Sequence, residues 1–153
     1  MIIRSALVTF LAIFLGGCSS EYEIRATVIG GKIAFVPAST SIWGNPNCVR
    51  TVIVETKDGP PERPAPGDDV ANVARGVYWE RHFGSGSCEN PYPLLYGTEL
   101  RGEPPSPPLR RVHVSAKPLR AGVVYEVSAL SPGSAYGGGQ FMITEQGTVR
   151  NLR

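Results

Sequence analysis

Glycine and proline are scattered along the whole chain and limit what it can fold into. The 153 residues include 18 glycines and 14 prolines. They leave no uninterrupted run of about ten helix-favouring residues, the minimum that a typical helix needs. Proline removes an N–H and clashes with the preceding helical turn, and glycine has a high entropic cost in a helix. We therefore expect helix to be only a minor part of the fold.

Short segments that alternate or are rich in β-branched residues lie between the turn residues. Residues 22–28 alternate, and Gly30-Gly31 separates them from a second apolar run at residues 32–36, which predicts a β-hairpin. A short helix of one or two turns is expected after Asp68-Asp69, because Asp is a favoured N-cap. Further strands are predicted over residues 49–56, 76–83, 94–100, 111–116, 123–130, 140–145 and 148–152.

About eight short strands separated by turns predict an all-β sandwich, in which one face of each strand is buried. Residues 119–127 resemble the Leu-x-Pro-Gly-Thr-x-Tyr stretch of fibronectin type III domains, the tyrosine corner. Leu119, Gly122 and Tyr125 keep its spacing. The resemblance implies an Ig-like, fibronectin III-like β-sandwich.

The first residues have the pattern of an export signal. Arg4 is the only charge before residue 18, and residues 6–15 are uncharged, with Thr9 the one polar side chain. As a helix this stretch would be about 15 Å long, half of a hydrocarbon core of about 30 Å. It therefore fits the hydrophobic region of a cleavable signal and is too short for a permanent membrane anchor.

The sequence Leu15-Gly16-Gly17-Cys18 resembles the bacterial lipobox, a Leu and two small residues before an invariant Cys. The resemblance implies that the Cys18 thiol receives a diacylglycerol, that the signal is cut before this cysteine, and that lipid then holds the protein on a membrane. The alternative is an ordinary secretory signal whose cleavage site lies near a cysteine.

The lipobox resemblance also implies a domain organisation and an address in the bacterial cell envelope. Residues 1–17 are the signal peptide, residues 18–21 the lipidated tether, and residues 22–153 a single domain. Ser19, in place of Asp, favours sorting to the outer membrane with the domain facing the periplasm. The inner membrane and the cell surface stay open as alternatives.

Removal of Cys18 from the count leaves Cys48 and Cys88. An even number of cysteines in an oxidising compartment predicts a disulfide. Closing a loop of about 40 residues would stabilise the fold by about 4 kcal/mol. The alternative is a zinc site with His82, for which the sequence supplies no fourth ligand of suitable spacing.

The polar residues show no motif of nucleic-acid binding, catalysis or cofactor binding. The 15 basic residues nearly balance the 13 acidic ones, whereas nucleic-acid-binding domains usually concentrate Lys and Arg on one face. His82 and His113 lie in no nucleophile or metal motif. We therefore predict a protein that is not an enzyme and has no cofactor or metal site.

The aromatic residues provide a candidate binding surface. Tyr78 and Trp79 are adjacent in a predicted strand, so one is expected to face inward and the other outward. The candidate surface consists of Tyr78, Trp79, Tyr92 and Tyr96. Residues 84–87 are expected to form a flexible loop beside Cys88, and Gly137 to Gly139 a turn or bulge before the strand at residues 140–145.

Together these patterns predict a lipid-anchored, non-catalytic module that binds or braces another envelope component, either a protein or a glycan. The alternative is an envelope hydrolase, or an inhibitor of one, that uses His82 or the Asp68-Asp69 loop.

Overall fold

The computed structural model describes residues 20–38, 47–83, 88–102, 112–133 and 135–152. These residues form mostly strands and one short helix, α1 (Val70–Ala74). In this part of the chain no helix is long and apolar enough to cross a membrane. The strands are β1 (Glu21–Ile29), β2 (Lys32–Pro37), β3 (Thr51–Glu55), β4 (Val77–His82), β5 (Leu94–Leu95), β6 (Val124–Ser131), β7 (Ala135–Ile143) and β8 (Val149–Leu152).

The eight strands form one sheet that curls into a half-barrel. Its order is β4-β3-β6-β7-β1-β2-β5, and β8 pairs with β7 beside this path. Neighbouring strands are antiparallel except β1 and β7, which run parallel where Glu21 pairs with Tyr136. The expectation of a mostly-β fold is confirmed. The expected arrangement of the strands as an Ig-like sandwich is not confirmed.

The core lies inside the curl. Along β6, Tyr125, Val127 and Ala129 face this core and alternate with more exposed residues. Phe141 of β7 lies at its centre, with ring centroids 5.5 Å from both Phe35 and Tyr125. Burial of these apolar and aromatic side chains is the main driving force that holds the sheet in its curled form.

Two local predictions are confirmed by backbone geometry. Gly30 and Gly31 connect β1 to β2 with φ of 56° and 76°, the positive angles that a tight two-residue hairpin turn requires. Asp69 caps α1, because its carboxylate accepts a hydrogen bond from the Asn72 N–H at 3.0 Å.

Two predicted strands are mostly absent. Of residues 94–100, only Leu94–Leu95 is a strand, because the chain turns at Gly97, whose φ is 80°. Of residues 112–116, only Val114 makes an isolated bridge, with Glu80. Residue 111, the start of that predicted strand, lies outside the described residues.

The predicted turn or bulge at residues 137–139 is wrong, because these glycines lie inside β7 and pair with β6 without a register shift. A Cβ on Gly137 would lie 2.3 Å from the Tyr22 ring, and one on Gly139 would lie 1.9 Å from the Ile24 carbonyl oxygen. The two glycines therefore let β1 approach β7 closely, which is a recognised use of glycine in strands. The predicted loop at residues 84–87 lies outside the described residues.

Candidate functional site

The predicted aromatic surface is not exposed at Tyr78 and Trp79. Val54 pairs with Trp79 and Glu55 with Val77, so Tyr78 is the extra residue of a β-bulge. A bulge interrupts the alternation of side chains along a strand. Both aromatic residues therefore face the core and are 0% exposed, and the prediction that one of them faces outward is wrong.

Tyr92 and Tyr96 are partly buried beside this core. The Tyr92 hydroxyl lies 2.9 Å from the Tyr22 hydroxyl. The Tyr96 hydroxyl shares its proton between the carbonyl oxygens of Lys117 at 2.8 Å and Tyr78 at 3.1 Å. Burial raises the pKa of both phenols well above the ordinary range. These hydroxyls therefore hold loops onto the sheet as neutral hydrogen-bond partners.

Tyr78 and Tyr125 pack against each other in the same core. Their ring centroids are 5.1 Å apart, and burial raises the pKa of Tyr78 to about 12. The Tyr125 hydroxyl accepts a hydrogen bond from the Arg120 N–H at 2.8 Å. A tyrosine that bonds to backbone a few residues upstream is the contact that defines a tyrosine corner.

Cys48 and Cys88 form the predicted disulfide, with their Cα atoms 5.5 Å apart. Since each sulfur is bonded to the other, the alternative zinc site with His82 is not formed. Across the described ranges, no group of three or more His, Cys, Asp and Glu residues is placed to hold a metal ion. Cys18, the predicted lipidation site, lies outside these ranges.

A buried ion pair lies where residues 58–69, a segment with four prolines, meet the segment after residue 112. The Asp68 carboxylate, 0% exposed, pairs with the Lys117 ammonium and accepts hydrogen bonds from the backbone N–H groups of Ala65 and Ser115, each at 2.7 Å. Burial raises the pKa of Asp68, but the bonds from Lys117, Ser115 and Ala65 outweigh it and hold this pKa well below its ordinary value.

A second polar cluster lies on the outer face of the sheet, under α1. Glu80 is 3% exposed. One of its carboxylate oxygens accepts from the Asn72 amide at 2.6 Å, and the other lies 2.7 Å from His82 Nε2. The other nitrogen of this imidazole lies 3.3 Å from the Thr51 hydroxyl. The contacts satisfy a buried carboxylate, as buried charges require.

The same contacts place a hydroxyl, an imidazole and a carboxylate in one row. This order of groups is the one that activates a hydroxyl nucleophile in many hydrolases. Thr51 and His82 pair directly across β3 and β4. His113, the other histidine, is not part of the row, and Asp68 and Asp69 have separate partners, Lys117 and the start of α1.

An open cavity of about 240 Å³ lies at the end of β3 and the start of β6. Glu55 and Glu126 face each other there across the two strands, and the Lys57 ammonium lies 3.9 Å from the Glu126 carboxylate. This cavity could not be predicted from the sequence, because its carboxylates meet only through a strand register that spacing along the chain does not reveal. The cavity is lined by Glu55, Thr56, Lys57, Asp58, Val124, Glu126 and Gln140.

Comparison of the chain with protein-family models, with curated proteins and with solved structures finds no match.

Proposed function

We propose that this chain is a lipid-anchored envelope protein, tethered through Cys18 and sorted to the outer membrane, where it acts as a non-catalytic binding or structural module. The observation that carries the proposal is the Cys48–Cys88 disulfide. Structural disulfides persist in oxidising compartments and are rare in the cytosol. The export signal and the lipobox at residues 15–18 supply the route to such a compartment.

The direction of the strands supports a binding role for the cavity. The chain enters the sheet at Ser20, whose carbonyl oxygen accepts from the Tyr136 N–H. Tyr136 of β7 pairs with Leu130 of β6, and Val124, six residues before Leu130 on β6, lines the cavity. Six strand residues cover about 20 Å, so the cavity lies at the end of the sheet away from the tether. It would face a protein or glycan of the envelope.

The anchor is tested by following lipid attachment and processing in cells. We expect wild-type protein to lose residues 1–17 and to take up labelled fatty acid. We expect Cys18→Ala to abolish both, and globomycin, which blocks the peptidase, to stop the cleavage. A matched Ser19→Ala variant should be processed normally. Removal of the signal without acyl mass at residue 18 would contradict the anchor and favour an ordinary secretory signal.

The binding role is tested by cross-linking the full-length lipidated protein to envelope fractions. We expect one reproducible partner whose yield falls when Glu55 and Glu126 are both changed to Gln, because these carboxylates line the cavity. Glu145→Gln, at an exposed position outside the cavity lining, serves as the control. Equal yields from both variants would exclude the cavity as the binding site.

The Thr51, His82 and Glu80 row favours the alternative of an envelope hydrolase. A hydrolase predicts turnover of an ester, amide or glycoside by the full-length protein that His82→Ala abolishes and His113→Ala preserves. A screen in which the wild type turns over none of these substrates would retain the non-catalytic proposal.

We also propose that the fold is related to Ig-like, fibronectin III-like sandwiches. This relationship is supported by the hydrogen bond between the Arg120 N–H and the Tyr125 hydroxyl, at the position where the sequence resembles a tyrosine corner.

A further inference from the structure

Tyr136 is an exposed aromatic residue beside the point where the chain enters the sheet. It is 53% exposed, although it lies in β7, whose Phe141 is completely buried. Its N–H donates to the Ser20 carbonyl oxygen at 2.8 Å, and it pairs with Glu21 at the start of β1. An exposed tyrosine is therefore fixed by backbone hydrogen bonds to the first described residues.

The predicted lipid lies only two residues before this point. An extended chain spans at most about 3.6 Å per residue, so the Cα atoms of Cys18 and Ser20 are within about 7 Å of each other. A tether of this length cannot carry the domain away from the membrane surface. The end of the sheet that contains Tyr136 must stay near the lipid headgroups.

We propose that Tyr136 rests in the interface of the lipid bilayer and orients the domain on it, with the cavity facing away. Tyrosine is enriched at this depth, because its ring is apolar while its hydroxyl reaches the water and the headgroups. The inference rests on the proposed lipidation of Cys18. It adds a second membrane contact and a fixed orientation, which lipidation alone does not imply.

The charges near Tyr136 favour a neutral lipid surface. Glu21 is exposed beside it, whereas the charge of Glu23 is balanced by Arg25 at 2.9 Å. An anionic surface would repel the Glu21 carboxylate, which has no ion-pair partner among the residues that the structure describes. Zwitterionic phosphatidylcholine vesicles are therefore the probe of choice.

Val124 provides a matched control on the same face of the sheet. It is 41% exposed and lies on β6, six residues before Leu130, which pairs with Tyr136. The two positions are thus similarly accessible, but Val124 is about 20 Å further along the strands from the tether. A photoreactive p-benzoylphenylalanine at either position should leave the core intact.

The experiment uses the full-length lipidated protein with the photoreactive residue at position 136 or 124. Each variant is floated with vesicles, checked for the disulfide by mass spectrometry and illuminated. We expect a phospholipid adduct from position 136 and at least a tenfold lower yield from position 124, as a difference of about 1.4 kcal/mol in contact free energy would give.

If the protein floats with the vesicles but position 124 gives as much phospholipid adduct as position 136, or more, the orientation would be overturned. The lipid anchor would then be retained. Absence of flotation would overturn both proposals. In whole cells, an adduct from position 136 to a protein or glycan in place of phospholipid would also overturn the inference, because it would identify a different occupant of this surface.

Discussion

The partners of Asp68 show what can be read from a sequence at the scale of a single residue. The acidic pair Asp68-Asp69 indicated a helix cap, and Asp69 provides it. Two of the partners of Asp68, Ser115 and Lys117, lie 47 and 49 residues away along the chain. No local pattern specifies such a contact, so the buried ion pair appears only in the folded chain.

Asp68→Asn should lower stability at pH 7 by about 3 to 5 kcal/mol, because it leaves a buried Lys117 ammonium without its partner. A carboxyl whose pKa is lower in the folded state stabilises that state fully above its ordinary pKa near 4. This contribution is lost as the pH falls below about 4. The difference between wild type and variant should therefore shrink in acid, as urea denaturation between pH 2.5 and 7 would measure.

Asp58→Asn is the control for this series. Asp58 is exposed, and its change should alter stability by no more than about 0.5 kcal/mol. Equal stability of Asp68→Asn and wild type at pH 7 would show that the buried pair contributes nothing to folding.

Tyr78 and Trp79 show a second limit at this scale. Their sequence correctly indicates a strand, but a period of two assigns adjacent residues to opposite faces. The extra residue of the bulge places both in the core. The candidate surface could not be predicted correctly, because a bulge depends on the register with β3.

At the scale of elements, two predictions that rest on local chemistry are confirmed. Gly30-Gly31 forms the hairpin turn and Asp69 begins α1. The error at residues 137–139 occurs because contacts distant in sequence decide the outcome. Residues 137–139 look like a turn because they are all glycine, yet they continue β7, since β1 lies against them and provides backbone partners.

Gly139→Ala should therefore destabilise the fold by about 1 to 3 kcal/mol, the usual cost of overpacking. Its Cβ would meet the backbone of Ile24. Gly138→Ala is the matched control, because a Cβ there meets nothing within 4 Å, and alanine is favoured over glycine in a strand by about 0.5 to 1 kcal/mol. Thermal unfolding followed by circular dichroism would test this, and a variant at Gly139 as stable as that at Gly138 would contradict the close approach of β1.

At the scale of the molecule, the disulfide joins the segment before β3 to the segment after β4, next to the isolated bridge between Cys48 and Pro91. Cys48 and Cys88 lie 40 residues apart, and loops of this length contribute about 4 kcal/mol through the entropy of the unfolded chain. We expect dithiothreitol to lower the free energy of unfolding of the wild type by about this amount.

A variant with both Cys48→Ala and Cys88→Ala should match the reduced wild type and show no response to dithiothreitol. Guanidinium titrations with and without reductant make the comparison. A full response to reductant in the double variant would mean that the effect does not come from this bond.

The mostly-β fold and the Cys48–Cys88 disulfide were predictable from the composition and from the number of cysteines. The order of the strands was not. Turn signals mark where strands end and leave open which strands become neighbours. The parallel pairing of β1 with β7 has no local signature, although it joins β1, β2 and β5 to the rest of the sheet.

This pairing also has a consequence for biogenesis. The side-chain amide of Asn151, 125 residues away, makes hydrogen bonds to both the N–H and the C=O of Ala26 in β1. β1 also pairs with β7, a strand that is made late in synthesis. The earliest strand to leave the ribosome must therefore wait, with one edge open, until almost all of the chain has been made. Because contacts so far apart in sequence slow folding, a chaperone that shields this edge should raise the yield of native protein.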